Sequence, residues 1–149
     1  MSRSRRKLAK LARLGPGDQW LLARAACWLL AVDLGLRTLG FARVRSLLDH
    51  RRRPAAPPGD PAAWARVERL ASAVAVAARH HLYPMKCLAR SLVLEHLLAR
   101  RGIASDLKIG VRKQDGQFGA HAWLECSGRP VAEAEDVDRR FAAVVLPRP

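Results

Sequence analysis

The amino-acid sequence predicts an α+β domain in which a layer of helices precedes a small antiparallel sheet, and three observations carry that expectation. Apolar residues recur at helical spacing from Gln19 to Leu39 and again from Trp64 to Ala78. After Gly102 the pattern changes to alternation, with Leu107, Ile109 and Val111 interleaved with Lys108, Gly110 and Arg112. Proline and glycine mark the junctions between these runs. At 149 residues, half of them hydrophobic, the chain has enough apolar surface for one ordinary core without disulfide staples.

In chain order, Met1 to Leu14 carries six basic side chains and no acid, and Gly15-Pro16-Gly17 interrupts any helix, so a frayed basic arm is expected. Asp18 is the expected N-cap of a helix over Gln19 to Leu39. A shorter helix from Ala42 to His50 offers Val44, Leu47 and Leu48 for packing on the first. Arg51 to Gly59 has linker composition. We divide the chain into a basic arm with an N-terminal helical layer (1–59) and a core (60–149), integrated as one domain, because neither side alone is long enough for a convincing core. Asp60-Pro61 is an N-cap followed by proline at the first helical position. The helix it starts should end near His80-His81, where an imidazolium suits the dipole, before Pro84 breaks the chain. Leu88, Leu92, Leu94, Leu97 and Leu98 then ask for a helix that opens near Cys87 and closes at Arg100-Arg101-Gly102. Beyond the strand at 107–112, Gln114 to Gln117 supplies a turn. The next strand puts Phe118, Ala120, Ala122, Leu124 and Cys126 on one face and Gly119, His121, Trp123 and Glu125 on the other. Ser127-Gly128 turns it into a strand over Arg129 to Glu133, which Pro130 assigns to the sheet edge. After an acidic cluster, Phe141 to Leu146 makes a last short strand.

The formal charge of +14 comes from 22 arginines and 5 lysines. An acidic partner, nucleic acid, a membrane surface or an arginine-rich genome would each account for it. The arginines are dispersed through Ala/Leu-rich helices, and no nucleic-acid partner is expected. Within Gln19 to Leu39, Arg24 and Asp33 leave eight uncharged residues between them, short of the roughly 20 needed to span a bilayer. A buried helix is therefore expected, with interfacial membrane contact as the weaker alternative. Cys27, Cys87 and Cys126 form no CxxC pair and follow no secretory signal, which fits a reducing, cytoplasmic compartment. Cys27 and Cys126 read as core residues. Cys87, His121 and Cys126 match no familiar metal-ligand spacing, and no glycine-rich phosphate loop is present, so neither metal nor cofactor is expected.

Chemistry concentrates at Cys87. In the first turn of a helix, free backbone N–H groups and the positive end of the macrodipole favour a thiolate, and Lys86 and Arg90 add positive charge. His121, on a strand, can hold the thiol deprotonated and later protonate a leaving amine, while the helix-start amides stabilise an oxyanion. A third residue, Asp, Asn or Glu, would orient the imidazole. Read without each other, Cys87 is a small buried residue and His121 a satisfied sheet histidine.

The wording around the pair is more specific. Cys87-Leu88-Ala89-Arg90-Ser91-Leu92, Leu97 to Ile103, Ile109-Gly110-Val111, His121-Ala122-Trp123-Leu124-Glu125 and Gly128-Arg129-Pro130-Val131 closely resemble the lasso-peptide maturation proteases. These are transglutaminase-like cysteine peptidases that remove the leader from a ribosomally made precursor (a RiPP). The resemblance is strongest from Pro84 to Glu133. It implies a papain-like or transglutaminase-like core, with Cys87 as nucleophile, His121 as base, and hydrolysis of the leader/core bond before a separate lasso cyclase closes the macrolactam. It also implies a separate leader-binding protein, since the first sixty residues leave no room for a fused recognition domain, and it assigns any nucleotide requirement to the cyclase. The family's third member is an aspartate twelve residues after the histidine. Here that position is Glu133, and Asp136 is the reserve candidate. A simple hairpin at Ser127-Gly128 sets Ala122 opposite Glu133 and leaves His121 on the other face, a difficulty that a bulge near Pro130 would repair. Trp123 is expected to pack beside His121 and limit water access. Two alternatives stand beside the peptidase: a noncatalytic basic module binding nucleic acid or a membrane surface, and another thiol acyl transferase on the same Cys-His pair.

Overall fold

The computed structural model describes residues 15–49, 55–114, 116–133 and 137–144. The basic arm and Asp136 lie outside the described residues. Among the described residues, five helices and four strands follow in the order α1 (Pro16–Thr38), α2 (Phe41–Asp49), α3 (Pro61–Arg79), α4 (Cys87–Ala99), β1 (Asp106–Gln114), β2 (Gln117–Cys126), β3 (Arg129–Val131), α5 (Val137–Arg140) and β4 (Ala142–Val144). The α+β expectation holds, with the strands of the sheet paired antiparallel in the order β3-β2-β1-β4.

Helix α1 starts earlier than expected. Gly15 is its N-cap and Pro16 occupies the first turn, where a missing N–H costs nothing. Asp18 is thus a first-turn residue and not the cap. Its Oδ1 instead accepts from Nη2 and Nε of Arg69 on α3, at 2.5 and 2.9 Å, which ties α1 to α3. Leu21, Ala25, Leu29 and Val32, spaced by three and four residues, form the buried stripe of α1. Cys27 faces solvent, against the core assignment, because it falls off that stripe. By length and composition α1 is apolar enough to cross a membrane, charges included. Its Asp33 is nevertheless buried in the fold, accepting from Arg37 Nε at 2.7 Å and from the Tyr83 hydroxyl at 2.9 Å.

Helix α3 begins as expected: Asp60 Oδ1 accepts from the Ala63 amide at 2.6 Å. Its buried face, including Val67, Leu70, Ala71 and Val74, packs against α1 and α4. Helix α4 is the centre of the molecule. Every residue from Ser91 to Ala99 is buried, because α1 and α3 cover one side and β1 and β2 the other. The charged Glu95 inside this helix is held by an ion pair with Arg45 of α2.

The core is continuous across α1 to α4, β2 and β3. The segment after α2 joins it as well. Ala56 N donates to Gly102 O at 3.0 Å and Ala56 O accepts from Ala104 N at 2.8 Å, fastening the linker to the loop that follows α4. The face of the sheet turned away from α4 is also covered in part. Trp123, Val137 and Phe141 form a second, smaller cluster there, so β2 buries residues on both faces near its end.

Candidate active site

Pro84 cannot continue α3, and the segment from His80 to Lys86 turns the chain toward α4. Cys87 is the first residue of α4. Lys86, the N-cap, has extended backbone angles and makes no side-chain capping bond, so the first-turn amides are not spoken for by a cap. A leucine-rich helix that omits the usual Ser, Thr, Asp or Asn cap leaves donors at its start, and an oxyanion needs such donors. Arg90, one turn on, lines the same cleft as Cys87.

Ser91 sets the position of α4 against the sheet. Four residues after Cys87, and so on the same side of the helix, its buried hydroxyl donates to Ala122 O at 3.0 Å. Ala122 neighbours His121. The helix that begins at Cys87 is therefore pinned to the strand position next to the histidine. Below this contact lies a cleft of about 30 Å³ lined by Cys87, Arg90, Ser91, Ala122, Trp123 and Glu133, among others.

His121 sits on the β2 face away from α4. Its ring lies 6.1 Å from Trp123 with the planes 16° apart, and 5.2 Å from Phe141. Trp123 is fully buried and donates Nε1–H to Glu125 Oε1 at 3.0 Å. Arg112 lies over the outer side of Phe141, 5.0 Å from the ring centroid. On β1, Gly110 pairs with His121. A Cβ at Gly110 would stand 2.6 Å from Phe141 Cβ and 2.9 Å from the Trp123 ring, so glycine is what lets both aromatics flank the imidazole.

Glu133 meets His121: Nε2 and Oε1 are 3.0 Å apart. The expected hairpin is present without a bulge. Ser127 and Gly128, both at positive φ, make the two-residue turn, and Cys126, Glu125 and Leu124 pair with Arg129, Pro130 and Val131. Continued in that register, Glu133 would face Ala122. The ladder instead stops at Val131, and Ala132 adopts φ +58°. One left-handed residue turns the chain out of the pleat and delivers Glu133 to the histidine's side. The repair thus lies at Ala132 and not near Pro130. The carboxylate takes Nε2, which leaves Nδ1 as the other ring nitrogen able to give or accept a proton.

Three positioning residues had weak or no sequence signals. Gly110, a lone glycine in an alternating strand, hinted at close backbone approach. Ser91 within a leucine-rich helix was a buried polar group in need of an acceptor. Nothing marked Ala132. Cys126 behaves as the core thiol expected: burial, helped by nearby Asp106, pushes it up to about 11. Among the described residues no group of three or more His, Cys, Asp and Glu is arranged to hold a metal ion.

A comparison with protein families finds a match to the model described as "Transglutaminase-like superfamily" over residues 26–146. Neither the curated proteins nor the solved structures contain a match to this chain.

Proposed function

The chain belongs to the transglutaminase-like superfamily, whose members include cysteine proteases and acyltransferases, and on that premise we propose that it is a cysteine endopeptidase acting through Cys87, His121 and Glu133. The observation that carries the reading is the 3.0 Å contact between His121 and Glu133, beside a cleft lined by Cys87 at an uncapped helix start.

In the proposed reaction the Cys87 thiol passes its proton to His121 Nδ1, and sulfur attacks the scissile carbonyl. First-turn amides of α4 hold the resulting oxyanion. Collapse expels the amine, which takes its proton from His121, and leaves a thioester on Cys87. Water then attacks the thioester while His121 accepts its proton, and the acid departs as the thiol is restored. Glu133 holds Nε2 protonated and fixes the ring, so that Nδ1 is the nitrogen that exchanges the proton with Cys87.

The substrate in this reading is a ribosomally made lasso precursor. The bond joins leader to core, a separate protein presents the leader, and a separate cyclase uses the new N-terminus in the cytoplasm. The wording from Cys87 to Val131 supports this choice. Incubation of a candidate precursor with the chain and the leader-binding protein tests it by mass spectrometry. Wild type should release two free fragments, while Cys87→Ala and His121→Ala release none and keep the wild-type circular dichroism spectrum. A product in which the acyl fragment has joined an amine would make the activity transfer rather than hydrolysis. Cleavage surviving Cys87→Ala would refute the mechanism.

A further inference from the structure

Beside the Cys87 cleft runs a second depression, a groove of about 240 Å³ between α3 and β3. Ala71, Val131, Ala132 and Glu133 line both, so the groove opens directly from the place where a carbonyl would be attacked. Its floor is apolar, with Val67, Ala71 and Val131 all buried. Trp64 forms a wall, and the Arg129 guanidinium covers that ring at 5.0 Å. Glu68 and Ser72, both exposed, stand at the rim.

Size decides what the two spaces hold. An apolar cavity of about 150 Å³ takes a benzene ring, so 240 Å³ admits one leucine or phenylalanine side chain with part of its backbone, and is too small for a folded element. The cleft at Cys87, about 30 Å³, has no room for such a group. Backbone pairing along β3 offers little help. Cys126 and Arg129 flank the two-residue turn as a hydrogen-bonded pair, so Pro130 is in the next, non-hydrogen-bonded pair and offers the sheet edge a carbonyl acceptor but no hydrogen to donate. Recognition at this edge therefore falls to a buried side chain.

We propose that the α3–β3 groove is the specificity pocket of the Cys87 site and takes one large apolar side chain, of leucine or phenylalanine size, from the peptide substrate, one residue removed from the scissile bond. The proposal rests on Cys87 being the nucleophile. Trp64 is its specificity-determining residue.

The test uses the full chain carrying Cys27→Ser, which removes the exposed thiol. In one arm, acetyl-X-Gly chloromethyl ketones with X as Phe, Leu, Ala or Asp alkylate Cys87, followed by intact mass. In the other, Gly-X amides compete with water for the acyl-enzyme formed from p-nitrophenyl acetate. One arm should favour Phe or Leu over Ala by about 10- to 100-fold, the effect of burying a large apolar side chain. Trp64→Ala should abolish that preference while Trp64→Phe retains it, with folding followed by circular dichroism. If Cys87 reacts in a His121-dependent manner but neither arm discriminates, or if discrimination survives Trp64→Ala, the groove proposal is wrong and the nucleophile reading stands. If Cys87 reacts no faster in wild type than in His121→Ala, the nucleophile reading fails and the groove proposal falls with it.

Discussion

The substitution Glu133→Asp tests the site most sharply, because resemblance and structure point in opposite directions. The lasso-protease pattern has aspartate at this position, so restoring it should help if position alone mattered. In the structure, Ala132 at φ +58° places the backbone so that a glutamate, and not a shorter acid, reaches His121 Nε2 at 3.0 Å. Removing one methylene withdraws the carboxylate by about 1.5 Å, which leaves a gap of roughly 4.5 Å, beyond hydrogen-bonding range. A hydrogen bond to a charged group contributes about 1.5 to 3 kcal/mol, equivalent to roughly ten- to hundredfold in a rate that depends on it. The assay is iodoacetamide alkylation of Cys87 in the Cys27→Ser background at about pH 6, well below an ordinary thiol pKa of about 8.5. Glu133→Asp should slow alkylation at least tenfold and match Glu133→Ala, and Glu133→Gln, which keeps an acceptor oxygen, should fall between them and wild type. Alkylation of the Asp variant at or above the wild-type rate would refute the reasoning.

Three further outcomes follow from the same geometry. Gly110→Ala should destabilise the fold by about 1 to 3 kcal/mol in urea melts, as overpacking does, and should also slow Cys87 alkylation, because the added methyl meets Phe141 and Trp123 beside His121. Ser91→Ala strips the Ala122 carbonyl of its side-chain donor in a buried place, and the midpoint of urea unfolding should drop by the equivalent of about 1 to 3 kcal/mol. Cys126 supplies a pH dependence. Its folded pKa is raised from 9.0 to about 11, so between those values the unfolded chain loses a proton that the native one keeps. The stabilisation is complete below pH 9.0 and is lost as pH rises toward 11. Cys126→Ala should flatten that alkaline decline, as read from thermal melts.

Local rules made much of this legible in advance. Asp60-Pro61 announced a helix start, and Asp60 caps it. Ser127-Gly128 announced a two-residue turn, and the predicted pairing of β2 with β3 is the observed one. Both are short-range matters of backbone geometry, which a few consecutive residues settle. The Asp18 assignment failed for a reason of the same kind: Pro16 tolerates the first helical turn better than the sequence reading allowed, and Asp18 was then drawn to Arg69 on α3, 51 positions away. Cys27 was misplaced because composition marks α1 as apolar throughout, whereas only packing against α3 and α4 selects which stripe is buried.

The candidate site divides along the same line. Sequence by itself determined that a cysteine lies at the start of a leucine-rich helix, that a histidine follows on a strand, and that a carboxylate stands twelve residues further on, since each is a statement about neighbours in the chain. Only the tertiary structure decided that the carboxylate and the imidazole meet. The pairing register alone turns them to opposite faces of the sheet, and the outcome depends on one left-handed residue, Ala132, whose conformation no alanine prefers. A backbone torsion of that kind is held by everything packed around it, and so it is written in the fold rather than in any short stretch of residues.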